Sequence, residues 1–432
     1  MNYKGAIDIF WKLNASTQIN ASINPDFGQV EANELVVNFS AIENFFIEKR
    51  PFFRENHELF EIEGPETLRI IHTPNIGGVP DTGGRPSAGI AGAARFTQIG
   101  KSFDFGVLSA TESDDKTAEG RDYLASRAQY KHDRGRVGLL HTCVDRPGLL
   151  RKAQTTSVDF EHLPSGELRF TGQYIFSSVA EILKQDVSDS AWWMIGEWQP
   201  RDEIGHSLTI FNYGEQFDVS DFGFVRRVNR KQLEYEFEKQ WTDLGIAGFR
   251  DATLSFGLEY GTNEQEDRLP MQIEAAIEFV TDSASSWEVE LEYRTGGIDD
   301  LITRGRNSVY FPSSYASGIS YDSPRYSFFS WAASVDAGTD GFQKPFYEFS
   351  IEPQLQLSDQ INIAIEMEYE NSQSWVIHLE NNDIGEFRKK ELRTTLDISA
   401  HFGTKHQLKI KLQSVLLEAK ARRAYVATGR GS

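Results

Sequence analysis

Acidic and basic residues that could carry chemistry are concentrated between residues 24 and 53, "NPDFGQVEANELVVNFSAIENFFIEKRPFF". Two carboxylates such as Asp26 and Glu31 could act as the acid and base of glycoside hydrolysis, which uses a pair of acids flanking the scissile bond. A chain with 64 Asp and Glu residues offers many such pairs by chance. We therefore predict no catalytic residue in this stretch and no enzymatic activity.

Metal, phosphate and nucleic-acid chemistry find little support in the sequence. The nine histidines lack the HxxxH and HExxH spacings of zinc sites, and the single cysteine, Cys143, excludes an intrachain disulfide. The acidic loops at 112–115 and 297–300 lack EF-hand spacing and are expected to be solvated. With a net charge of −20 and no basic stripe, nucleic-acid binding is not expected. We predict no metal and no cofactor.

Alternation of apolar and polar residues runs along almost the whole chain. "SSWEVELEYR" places Trp287 and Leu291 on one face and Glu288 and Glu290 on the other, and "DQINIAIEMEYE", "KQLEYEFEKQW" and "HQLKIKLQ" repeat the pattern. A period of two residues indicates strands with one apolar and one wet face. Short polar turns alternate with longer acidic, Gly-rich connections, and the pattern predicts roughly 16 strands of about 8 to 12 residues.

Two all-β architectures could accommodate these strands. A soluble sandwich would use strands of about 5 to 6 residues, whereas a transmembrane barrel needs about 9 to 11 residues, aromatic girdles and loops of alternating length. Strand length, charged wet faces and aromatic strand ends favour a large antiparallel transmembrane β-barrel. No apolar helical span of about 18 residues is found, and "MNYKGAIDIF" lacks the pattern of a signal peptide.

Residues 24–80 interrupt the alternation and are expected to form a lumen or plug-like segment. Asn24, Pro25, Asp26, Phe27 and Gly28 are typical of a turn after a first hairpin at residues 1–23. The following irregular, Phe-rich backbone is tolerated at membrane depth only inside a barrel or over its mouth. We expect its charges to pair with the barrel wall, either as a ligand-contacting gate or, the favoured alternative, as a structural plug. The plug and constriction candidates are Asn24, Pro25, Asp26, Phe27, Glu31, Glu43, Glu48, Lys49, Arg50 and Pro51.

The remaining predicted boundaries are barrel strands at 81–418 and a C-terminal tail at 419–432. The sequence "AWWMIGEWQP" contributes Trp192, Trp193 and Trp198, which fit an interfacial aromatic belt. Sugar stacking on exposed indoles is the alternative. The belt is favoured because Gly196 and Glu197 interrupt a continuous platform.

The motif "NPDFGQVEA", followed by "VVN" and "EKRPFF", resembles a bacterial family of outer-membrane β-barrels of unknown function. More weakly, so does "HFGTKHQLKIKLQ" near the end. In that family the barrel usually follows a signal peptide and a family-9 carbohydrate-binding-like (DOMON-like) domain. The resemblance implies location in the cell outer membrane, contact with its lipid, and passage or display of a carbohydrate or peptide ligand. A soluble acidic glycan-binding protein or glycan-active enzyme is the alternative, and the oligomeric state is open.

Three departures from the family pattern accompany this resemblance. Pro74 and Asn75 stand where the family carries an arginine pair, so no role is expected for such a pair here. The chain begins at the barrel, without the signal peptide and sandwich domain. It ends at "ARRAYVATGRGS", before the family's closing strands, so we expect a chain truncated at both ends.

Overall fold

The computed structural model describes most of the chain in two compact units, which are treated separately below. The described residues are 7–24, 45–55, 57–81, 83, 87–114, 119–182, 184–246, 248–304, 306–403 and 406–427. The first unit comprises the described parts of 1–33, 42–198 and 209–232, and the second those of 199–208 and 233–432.

Strands dominate both units, as the alternation predicted. Those of the first unit are β1 (Ile7–Lys12), β2 (Thr17–Ile23), β3 (Ile90–Ile99), β4 (Phe103–Glu112), β5 (Asp122–His132), β6 (Gly135–Arg146), β7 (Arg151–Ser165) and β8 (Leu168–Glu181). Strands β9 (Val187–Arg201), β10 (Ile204–Tyr213) and β11 (Arg230–Trp241) have residues assigned to each unit. Those of the second unit are β12 (Phe249–Thr262), β13 (Gln272–Thr281), β14 (Ser286–Arg294), β15 (Gly297–Asp299), β16 (Val309–Phe311), β17 (Ser314–Asp322), β18 (Phe329–Asp340), β19 (Lys344–Ser358), β20 (Ile361–His378), β21 (Asp383–Phe402) and β22 (His406–Val426).

The first unit is an antiparallel meander in which each strand from β1 to β8 pairs with the next one along the chain, and β8 pairs with β9. Most connections are short turns, as expected for antiparallel neighbours. The exception is the connection between β2 and β3, which contains the predicted plug-like segment. The pairing of β1 with β2 covers the range of the predicted first hairpin.

The two faces of the first unit differ in which side chains they bury and which they expose. On β5, Arg127 and Gln129 are buried, whereas Leu124 and Tyr130 are 45% and 57% exposed. Strands β6 to β8 repeat this: their buried faces carry Thr142, Thr155, Ser157, Asp159, Gln173 and Ser177, and their exposed faces carry Val137, Leu139, Val158, Phe160, Tyr174 and Phe176. Large apolar side chains thus lie exposed on one face, while the opposite face buries polar side chains together with apolar ones such as Leu140 and Ile175, a distribution unlike that of a soluble domain.

The second unit continues the antiparallel pattern. Its pairings join β12 through β14 to β17 and then run on to β22, and the short strands β15 and β16 pair with each other in the connection after β14. Here too Trp287, Leu291 and Tyr293 of β14 are exposed.

Acidic side chains form a row across the opposite face of the second unit. The register places Glu290, Gly318, Asp336, Glu348, Glu370 and Glu391 directly opposite one another on successive strands. Like charges in direct cross-strand positions destabilise a sheet. Lys389 partly offsets them, since its Nζ lies 2.5 Å from an oxygen of Glu370 and 3.3 Å from one of Glu391.

Two structural predictions need adjustment. The described residues form 22 strands, more than the roughly 16 predicted, because long alternating runs separate into hairpins and a short extra ribbon. Strand β22 extends to Val426, so residues 419–426 are strand and not tail. Among the described residues, the pairings close neither unit's run of strands on itself, so the closed barrel stays a prediction. No helix in the described part of the chain is long and apolar enough to cross a membrane.

Candidate functional site

The segment between β2 and β3 is built from short helical turns. Helix α1 spans Pro51–Arg54, and single 3-10 turns cover His57–Leu59, Pro65–Thr67 and Thr73–Asn75. Two of these four turns begin with proline and a third has Pro74 at its second position; the fixed φ of proline suits the start of a helix, and its missing N–H ends strand pairing. The sequence therefore folds locally into a compact, non-strand segment, as the lost alternation predicted.

Apolar side chains of this segment pack on the buried face of the first unit. Phe53, Leu59 and Phe60 are buried in the same hydrophobic core as Leu108 of β4. The neighbouring Gly106 makes room for them, because a Cβ atom there would lie 2.7 Å from Leu59 Cδ2 and from Phe60 Cζ. The segment is thus seated on the sheet by close side-chain packing.

Arg50 ties the two ends of the described segment together. Its guanidinium donates to Glu48 at 2.6 and 2.8 Å, to the Thr73 carbonyl at 2.6 Å and to the Ile76 carbonyl at 2.7 Å. Glu48 also accepts from the Thr73 hydroxyl at 2.7 Å. Glu48 and Arg50 thus pair with each other inside the segment, and their predicted pairing with the barrel wall stays a prediction.

Hydrogen bonds from other parts of the first unit hold the segment as well. The Asn75 amide donates to the carbonyls of Ser220 and Gly223, and the Tyr213 hydroxyl donates to the Pro65 carbonyl at 2.8 Å. Nearby, a network of ion pairs joins the ends of β4 to β7 to residues 81 and 218–221. Its members are Asp81, Glu112, Arg121, Arg146, Arg151, Asp218 and Asp221.

A cavity of about 330 Å³ lies between this segment and strands β3 and β4. Its apolar lining includes Phe45, Phe53 and Phe60, and its polar lining includes Arg69 and Arg95. That volume is near the lower end of small-molecule sites, about 300 to 1,000 Å³. This mixture of aromatic faces and a few polar groups is typical of a ligand site.

The neutral imidazole ring of His72 lines part of the cavity. Burial lowers the pKa of His72 to about 4, and the charge of Arg69 acts in the same direction. The imidazole packs against Phe45 and Phe224, with ring centroids 4.9 and 5.5 Å away. Although burial acts to raise it, hydrogen bonds and charge from Arg50 lower the pKa of Glu48 below its usual value. At neutral pH His72 is therefore uncharged and Glu48 is ionised.

Arg95 is the site residue that sequence reasoning missed. It is 3% exposed on β3, and its Nη1 makes a long contact of 3.5 Å to the Phe53 carbonyl. Its Nη2 has no hydrogen-bond partner among the residues that the structure describes. The sequence marks it only as the one charged residue in the run "AGAARFTQIG", which is rich in small residues.

The other candidates from residues 24 to 53 have varied outcomes. Asn24 directly follows β2, has a left-handed φ of 47° and donates its backbone N–H to the Ala91 carbonyl, as a turn residue would. Lys49 is half-buried, and Pro51 opens α1. Pro25, Asp26, Phe27, Glu31 and Glu43 lie outside the described residues, so their predicted roles stay predictions.

The tryptophans do not form one group. Trp192 and Trp198 are exposed on the same face of β9, opposite Tyr174 and Leu168. Trp193 points to the other face, is 6% exposed, and donates its Nε1 hydrogen to Gln173 at 3.1 Å. Assigning Trp193 to the belt is therefore wrong, because neighbouring strand residues face opposite sides.

Within the described ranges, no group of three or more His, Cys, Asp or Glu side chains is arranged to hold a metal ion. Cys143 is half-buried on β6.

These features define an antiparallel all-β protein whose first unit exposes large apolar side chains on one face and buries polar side chains on the other. The chain belongs to the family described as a domain of unknown function (DUF5916), whose model matches residues 1–84 and 128–432. This confirms the resemblance to a family of unknown function, whereas the associated carbohydrate-binding domain stays a prediction. No curated protein matches the chain.

Three solved structures resemble this chain at low sequence identity. Pseudomonas aeruginosa OpdO is 10% identical with a TM-score of 0.38, over 78% of this chain and 91% of that one. The unliganded ferric citrate transporter FecA is 9% identical with a TM-score of 0.36, over 80% and 59%. The ferric yersiniabactin uptake receptor FyuA from Yersinia pestis is 8% identical with a TM-score of 0.33, over 96% and 69%. Similarity at this level establishes no activity for this chain.

Proposed function

We propose that this chain is an outer-membrane β-barrel protein that passes or displays a ligand and has no enzymatic activity of its own. The distribution of side chains on β5 to β8 carries the proposal. Leu139 and Tyr174 are 50% and 54% exposed, while Arg127 and Asp159, on the opposite face, are buried and form an ion pair. In water such exposed apolar surface is costly, whereas in a lipid bilayer it is solvated by acyl chains.

The lengths of the strands also fit a lipid bilayer. β5 and β6 have 11 and 12 residues, and β7 has 15. A tilted strand needs about 9 to 11 residues to cross the hydrocarbon layer. Trp192 and Trp198 share the exposed face with these apolar side chains, a position suited to an interfacial belt.

The segment between β2 and β3 and the row of acidic side chains suggest how such a barrel would handle a ligand. In a closed barrel, the segment at 45–80 would act as a plug seated through Phe53, Leu59 and Phe60. The carboxylates from Glu290 to Glu391 would line a hydrated wall. A carbohydrate or peptide as ligand follows from the family resemblance alone.

Heat-modifiable gel migration tests this proposal. The chain is expressed behind a signal peptide, the outer-membrane fraction is isolated, and boiled and unboiled samples are compared. A faster-migrating unboiled band is expected, because a closed barrel resists unfolding by detergent at room temperature. A soluble periplasmic protein without such a shift would overturn the proposal and favour a glycan-binding protein with Trp192 and Trp198 as stacking residues.

A further inference from the structure

We propose that the cavity between the segment and strands β3 and β4 binds a small monocarboxylate with an apolar body. The carboxylate would accept hydrogen bonds from Arg95, and the body would lie among Phe45, Phe53 and Phe60. This assignment names a ligand class for a site in the first unit and does not depend on barrel closure.

The first argument is the unused hydrogen-bonding capacity of a buried charge. Arg95 lines the cavity and is 3% exposed, yet Nη2 has no hydrogen-bond partner in the described part of the chain. Buried guanidinium groups are normally paired, because an unpaired buried charge loses its hydration without compensation. A ligand anion would supply the missing acceptor in a charge-assisted hydrogen bond.

The acids near Arg95 are already engaged by other groups. Glu48 accepts from Arg50 and Thr73. Glu61 lies 2.8 Å from Arg69 Nη1 and 2.8 Å from His57 Nε2. Glu55, whose charge acts on Arg95, accepts from the Asn20 amide at 2.7 Å, and no ion pair joins it to Arg95 among the described contacts.

The apolar lining selects the kind of anion. Phe45, Phe53, Phe60 and Leu108 offer aromatic and aliphatic surface, and His72 is neutral at physiological pH. A phosphate dianion would need several more donors than Arg95 offers, and Arg69, which also lines the cavity, is already paired with Glu61 and Glu63, so burying phosphate here would be unfavourable. A monocarboxylate needs one guanidinium and leaves an apolar body to fill the rest of the cavity, of about 330 Å³.

Binding of 3-phenylpropionate to the full chain, measured by isothermal titration calorimetry at pH 7.5, tests this inference. The protein is held in nanodiscs if the gel assay identifies a barrel, and in buffer if it is soluble. The neutral 3-phenylpropionamide controls for apolar partitioning, and acetate and inorganic phosphate control for simple anion binding. We expect phenylpropionate to bind at least about tenfold more tightly than each of these, since only it supplies both features.

Variants locate the binding. Arg95→Met is expected to weaken phenylpropionate binding by about tenfold or more, and Arg95→Lys to restore part of the affinity. Arg169→Met, at a 46%-exposed arginine elsewhere in the first unit, is expected to leave it unchanged. Equal binding of acid and amide to the unmodified protein, or no loss in a folded Arg95→Met protein, would overturn the inference. A heat-modifiable protein that fails to bind phenylpropionate would leave the barrel proposal standing and refute only this site.

Discussion

Gly64 stands directly against the indole of Trp193. A Cβ atom at Gly64 would lie 2.7 Å from Nε1 of Trp193, closer than side chains normally approach. The same Nε1 donates to Gln173, so the indole cannot turn away without breaking a buried hydrogen bond. Since Gly64 belongs to the segment and Trp193 to β9, this contact sets how closely the segment approaches the sheet.

The first prediction is that Gly64→Ala lowers the free energy of unfolding by about 1 to 3 kcal/mol, the usual cost of overpacking. Urea unfolding followed by tryptophan fluorescence measures it. Gly148→Ala serves as the control, because a Cβ atom at Gly148 has no neighbour within 4 Å. Equal stability of the two variants would show that the segment is not held against Trp193.

The second prediction concerns Arg50, which holds Glu48, Thr73 and Ile76 together. Arg50→Met should lower the free energy of unfolding by about 3 kcal/mol, because it leaves the 14%-exposed Glu48 carboxylate without its cation. Arg136→Met is the matched control, since its pair with Glu161 is exposed at the arginine and surface pairs contribute about 0 to 1 kcal/mol. A similar loss of unfolding free energy in both variants would show that Arg50 does not hold the segment together.

The third prediction is a pH dependence that originates at His72. Its pKa is about 4 in the folded protein against 6.5 for the free side chain, so the unfolded state binds the proton first as pH falls. Stability from this group is therefore complete above pH 6.5 and declines between pH 6.5 and 4, by about 3 kcal/mol in total. His72→Phe should flatten that part of the curve of unfolding free energy against pH, measured by urea titrations. An unchanged slope in the variant would assign the dependence to other groups.

Strand periodicity predicted much of the fold because it is a local property. "SSWEVELEYR" became β14 with Trp287 and Leu291 exposed, and the described residues from 45 to 80, where the alternation is lost, form short turns and no named strand. The same parity could have separated Trp193 from Trp192. Arg95 could not be found in this way, because periodicity gives the face of a residue but not what packs against it. Pairing of Glu48 with Arg50 likewise depends on turns that no pattern in the sequence specifies.

The fourth prediction tests the lipid-facing surface. Leu139 lies within β6 between Ala128 and Val158 of its neighbouring strands and is 50% exposed. Leu139→Arg should reduce the amount of heat-modifiable protein in the outer membrane, because an arginine near the bilayer midplane costs about 2 to 4 kcal/mol. Glu167→Arg, in the exposed turn between β7 and β8, should assemble normally. Equal assembly of both variants would indicate that this face meets water and not lipid.

The fifth prediction is that replacing residues 28–60 with a short Gly-Ser linker raises single-channel conductance in planar bilayers. The deletion removes Phe53, Leu59 and Phe60, which bury the segment on the sheet, together with Arg50 and its partner Glu48. The buried polar residues of β5 to β8 would then face solvent, so ions would pass where the segment now packs. Heat-modifiable migration confirms first that the shortened chain still folds. An unchanged conductance in a folded variant would show that the segment does not obstruct a pore.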